Sequence, residues 1–79
     1  MPRYFFHIHY KTAQPDSDGS ELANLQAAQV AAVRLCGEMI RELDGKFWDA
    51  PQWQLRVTNQ DQRPLFTLTL SAEDHALIR

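Results

Sequence analysis

The 79 residues, 44% hydrophobic and 23% charged, have the composition of a small globular chain rather than a disordered one. A formal charge of -2 argues against a general nucleic-acid binder, which carries a basic face. Residues 1–79 are expected to form a single small domain, and a core of that size rarely encloses a deep substrate pocket unless a second subunit helps to build it. No apolar run approaches the roughly 18 residues of a membrane span, and the start does not read as a signal peptide. Cys36 is the one cysteine and cannot close an intramolecular disulfide, so the expectation is a cytoplasmic chain with no membrane partner.

Tyr4 to Tyr10 alternate as a strand, with Tyr4, Phe6, Ile8 and Tyr10 toward the core and Phe5, His7 and His9 on the other face. Pro2, which lacks a backbone donor, suits the position just before it. Turn formers gather from Gln14 to Ser20, and Lys11 to Gln14 have room for a short second strand hairpinned onto the first. Asn24 reads as the N-cap of a helix from Leu25 to about Leu43, with Gly45 as its stop. Leu25, Ala28, Ala32, Leu35, Cys36, Met39, Ile40 and Leu43 share its apolar stripe. Gln29 interrupts that stripe and Val30 sits among polar positions, while Arg34 and Glu38, one turn apart, are placed to pair.

Lys46 to Pro51 is a connector whose Phe47 and Trp48 are too costly to leave wholly in water, so at least one should lid an end of the core. Trp53, Leu55 and Val57 alternate with Gln54, Arg56 and Thr58 in a half-buried strand. After the polar turn Asn59 to Pro64, the strand Leu65 to Leu70 should point Phe66, Leu68 and Leu70 inward and Thr67 and Thr69 outward. Ser71-Ala72-Glu73-Asp74 looks like the capped start of a last helical turn, followed by a tail with Leu77 and Ile78. The order β(β)αββ, with one long helix on one face of an antiparallel sheet, predicts a small two-layer α+β fold. Its other face would carry Phe5, His7, His9, Arg56, Thr58, Thr67 and Thr69.

Chemistry is sparse. His7 and His9 lie two apart on one strand face, where paired imidazoles can chelate a transition metal, but no third or fourth ligand neighbours them. A solvated or subunit-facing surface is the stronger reading, and no metal site or cofactor is assigned. Asp16, Asp18 and Glu21 around Gly19 resemble part of a calcium loop, yet the glycine falls at position four instead of six, which favours an acidic turn with local side-chain bonds. Cys36 falls in the apolar stripe, where a thiol is poorly accessible. There is no G-x-S-x-G elbow, phosphate-cradling glycine loop or C-x-x-C pair, so no enzyme is expected. Phe5 with histidines and Arg56 on a sheet could stack single-stranded nucleic acid, but Lys46, Arg56 and Arg63 are matched by Asp44, Asp49 and Asp61 and form no basic stripe.

The opening Met1-Pro2-Arg3-Tyr4-Phe5-Phe6-His7-Ile8 resembles the start of a family of short bacterial proteins classed as a domain of unknown function. The resemblance continues through the P-D-x-x-G-x-E-L loop (Pro15-Asp16, Gly19, Glu21-Leu22), the alanine-rich helix and a D-x-R turn (Asp61, Arg63). It implies a small α+β unit and supplies no activity, cofactor or site residues. The order of strand, acidic glycine turn and alanine-rich helix also resembles HicB-type antitoxins, without their P-G-C-x-T-x-G segment or a DNA-binding tail. The expected role is a cytoplasmic protein–protein interaction module that forms a homodimer. Its contact face would be anchored by Phe5 and Arg56, and the alternative is an antitoxin-like regulator binding a toxin or nucleic acid.

Overall fold

The computed structural model of the chain describes residues 1–49, 52–73 and 75. Its elements are β1 (Arg3–Tyr10), β2 (Thr12–Gln14), β3 (Ser20–Glu21), α1 (Leu25–Leu43), a 3-10 turn (Asp44–Asp49), β4 (Gln52–Thr58) and β5 (Pro64–Ser71). The sheet is antiparallel in the order β2-β1-β4-β5, and β3 pairs with the first residues of β1. One helix on an antiparallel sheet is the α+β architecture that the alternation and helical stripe imply.

The core lies between α1 and the two central strands. Trp53, Leu55 and Val57 of β4 are essentially sealed from solvent, with Tyr4 and Phe6 of β1 beside them. Burying each of those large β4 side chains stabilises the fold by roughly 1.5–3 kcal/mol. Ala28 and Ala32, four residues apart, are fully buried, and their small size lets the helix backbone approach the sheet closely. Val30 and Val33 are left mostly in solvent.

Asn24 caps the helix as its position suggests, its Oδ1 accepting from the Ala27 N–H at 2.8 Å. Such a cap contributes about 1 kcal/mol. The helix stop differs from the expected Gly45. Asp44 takes the positive φ of 49° and donates its N–H to the Ile40 carbonyl, and the chain then tightens into the 3-10 turn instead of leaving the helix at a glycine. Phe47, in that turn, is the residue that lids the core, its ring nearly parallel to Tyr10, while Trp48 stays 57% exposed. The Tyr10 hydroxyl donates to the Lys46 carbonyl at 2.7 Å, which ties the helix end to the end of β1.

The other differences are local. Among the described residues the ion pairs are Arg3–Glu21 and Glu73–His75, so Arg34 and Glu38 do not pair. Ser71 closes β5 and Glu73 is not helical, which overturns the expected last helical turn as far as it is described. Ala50, Pro51, Asp74, Leu77 and Ile78 lie outside the described residues. The short second strand is β2, while β3 is an addition to the expected order, since its two polar residues, Ser20 and Glu21, carry no alternation signal.

Candidate functional site: the open sheet face and its strap

Strand register assembles the face opposite the helix. His7 pairs with Arg56, Phe5 with Thr58 and His9 with Gln54 across β1 and β4. Arg56 then pairs with Thr67 and Gln54 with Thr69 across β4 and β5. All seven residues expected on this face therefore share it: Phe5, His7, His9, Arg56, Thr58, Thr67 and Thr69. They are not equally accessible. His9, Arg56, Thr67 and Thr69 are exposed, whereas Thr58 is only 5% exposed and Phe5 is half-buried.

The cover is a strap from Pro15 to Gly19, which links β2 to β3. β2 and β3 are two short pieces of one edge strand along β1, paired at Ile8–Tyr10 and at Arg3–Tyr4. Between them the Asp16 side chain takes the place of a strand. Its Oδ2 accepts from the Phe6 N–H, and its Oδ1 accepts from the N–H groups of Asp18 and Gly19, each at 3.1 Å. Burial acts to raise the Asp16 pKa, but the donors on Gly19, Phe6 and Asp18, with His7 nearby, more than offset it and hold the carboxyl below its ordinary value.

His7 is held from both sides of its ring. The Asp16 N–H donates to Nδ1 at 3.1 Å, and Nε2 lies 3.0 Å from Thr58 Oγ1. A lone pair at Nδ1 places the proton of the neutral ring on Nε2, which donates to the threonine hydroxyl. Phe5 and His7 lie nearly parallel, 6.4 Å apart. Gly19 closes over Phe5 at φ 72°, where a Cβ would sit 2.8 Å from Phe5 Cε2 and 2.9 Å from Arg3 Cγ. Arg3 straps the loop down by donating to the Asp18 carbonyl at 2.9 Å and to Glu21 Oε1 at 3.0 Å. Phe5 is thus partly roofed by its own chain, half-buried while still lining the open groove beside it.

What stays open is a groove of about 780 Å³ floored by His7, His9, Gln54 and Arg56, with the strap on one side and the β4–β5 turn on the other. That turn rests on Asn59, whose Oδ1 accepts from the N–H groups of Asp61 and Arg63. It brings Gln60 and Gln62 to the rim, two residues that strand periodicity could not place on this face. Arg56 has no carboxylate within ion-pair distance among the described residues.

For metal chemistry the donor set is poor. Both nitrogens of His7 and both oxygens of Asp16 are already in hydrogen bonds, and no three His, Cys, Asp or Glu side chains converge among the described residues. The Asp16, Asp18 and Glu21 stretch is a strap built on backbone donors and Arg3. Cys36 is half-buried at the helix–sheet layer, and burial pushes its thiol pKa up, away from nucleophilic use.

No helix among the described residues is long and apolar enough to cross a membrane. No curated protein and no solved structure matches the chain. A family model described as a domain of unknown function, DUF6894, matches residues 3–71.

Proposed function

Because the chain belongs to the DUF6894 family, a domain of unknown function, we propose a role from its own surfaces: a non-enzymatic, cytoplasmic module that self-associates and works by protein–protein contact. One observation carries this reading. The helix seals Tyr4 and Phe6 of β1 and Trp53, Leu55 and Val57 of β4 but leaves Phe66, Leu68 and Leu70 of the end strand half-buried, with Val30 and Val33 of the helix itself in solvent. A small sheet with incomplete cover completes its burial by association. Sedimentation equilibrium at rising protein concentration tests it. A mass that climbs to twice that of the chain supports the reading, and a monomer at every concentration overturns it.

A second reading has its own observation. Arg56, with no carboxylate in ion-pair distance among the described residues, centres a small exposed patch beside His7 and His9 on a chain whose overall charge is negative. That patch suits an antitoxin-like regulator that binds a toxin or nucleic acid. Retention on single-stranded RNA or DNA that falls steeply with salt and is lost in Arg56→Ala supports this alternative. Retention unchanged by either removes nucleic acid from it.

A further inference from the structure

We propose that the chain dimerises by pairing β5 with β5 of a second copy, antiparallel and centred on Leu68, into one continuous sheet; this rests on the self-association proposed above and names its surface. Among the described residues β5 ends the strand order, so one of its two rows of backbone groups has no described strand beside it. The ladder identifies that row. The Phe6 N–H bonds to Asp16 on the β2 side, so Val57, opposite Phe6, turns its own backbone groups toward β5 and meets Phe66. Alternation then turns the N–H and C=O groups of Thr67 and Thr69 outward.

An unguarded edge is unusual. Natural edge strands carry lysines, prolines, bulges or cover to prevent pairing. From Leu65 to Leu70 this one reads L-F-T-L-T-L, with no charge, and its proline is confined to the first position, Pro64. The irregularity in the β4–β5 ladder falls at Val57/Thr58, beside the turn, leaving the rest of the edge regular.

The sequence around the edge is self-complementary about Leu68. Antiparallel pairing there sets Thr67 against the partner's Thr69 on the open face. It sets Phe66 against the partner's Leu70 and Leu68 against the partner's Leu68 on the helix side, where these apolar side chains are half-buried in the single chain. Cross-strand threonine and apolar pairs of this kind are favourable. The same register brings Arg63, just before the strand, beside the partner's Glu73, just after it, and the two-fold axis repeats the contact at the other end. Both residues are exposed, and among the described residues the ion-pair partner of Glu73 is the equally exposed His75. The uncharged middle and oppositely charged ends favour a second copy over an unrelated strand.

The test is the dimer dissociation constant by analytical ultracentrifugation. Thr67→Lys with Thr69→Lys sets like charges directly opposite each other across the axis while altering only exposed positions, and should weaken the dimer by roughly tenfold or more. Arg63→Glu should weaken it as well, and adding Glu73→Arg should restore it. A wild type that dimerises while the double-lysine variant, folded by circular dichroism, dimerises equally well overturns the β5 surface and leaves self-association standing. Failure of the Arg63→Glu, Glu73→Arg combination to recover overturns the register about Leu68. A wild type that never dimerises overturns both proposals.

Discussion

Replacing Asp16 by asparagine keeps the side chain's shape and removes its charge and one acceptor. The amide oxygen can still serve Asp18 and Gly19, but the new NH2 group then faces the Phe6 N–H, donor against donor. Losing a part-buried bond to a charged acceptor costs about 1.5–3 kcal/mol. Turning the other two from charge-assisted to neutral roughly halves their strength, about 0.5 kcal/mol each. The sum, about 2.5–4 kcal/mol, is a large share of the roughly 4–12 kcal/mol expected for a chain of this length. Urea unfolding followed by the fluorescence of the sealed Trp53 would measure it.

The pH dependence follows with a definite sign. Asp16 has a folded pKa below its ordinary 3.8, so its contribution is fully present above that value and is lost as pH falls through the lower folded one. The stability gap between wild type and Asp16→Asn should therefore be wide at neutral pH and close in strong acid. A gap under about 0.5 kcal/mol at neutral pH, or one unchanged through the acid range, would refute the carboxylate's role as the missing piece of edge strand.

Three further substitutions probe the same account. Gly19→Ala should destabilise by about 2–4 kcal/mol, from a positive φ and a Cβ driven into Phe5, and a Phe5→Ala background should relieve part of the penalty in a double-mutant cycle. Gln62→Gly should stabilise by about 0.5–1 kcal/mol, since Gln62 holds φ 62° in the β4–β5 turn; a lower urea midpoint would contradict this. Leu55→Ala should cost about 2–5 kcal/mol by opening a cavity in the sealed centre of the sheet, and a loss below 1 kcal/mol would show that the core collapses around it.

The parts of the fold legible in the sequence are those written as periodicity. Trp53, Leu55 and Val57 announce a buried strand face by alternation, and Asn24 announces the helix start by its chemistry. Register then put Phe5, His7, His9, Arg56, Thr58, Thr67 and Thr69 on one face because parity along paired strands leaves no other choice. The strap escaped that logic. The turn-forming Pro15-Asp16-Ser17-Asp18-Gly19 string shows a turn, and its local bonds to Asp18 and Gly19 are of the expected kind. Nothing local shows that the other carboxylate oxygen crosses to Phe6, ten residues earlier, because that bond exists only once the edge strand is interrupted. Phe5 and Thr58 share the open face yet are half-buried and buried there, because Gly19 of the strap closes over Phe5 and His7 bonds to Thr58, neither of which alternation shows.

Amide hydrogen exchange at Thr67 and Thr69, followed residue by residue at low and high protein concentration, tests the central claim most directly. These two N–H groups turn away from β4, so in a single chain they face solvent, while pairing with a second β5 engages them. Self-association through this edge predicts that their exchange slows markedly as concentration rises, with Leu55 in the centre of the sheet slow throughout. Rapid exchange at Thr67 and Thr69 that does not change with concentration would contradict it.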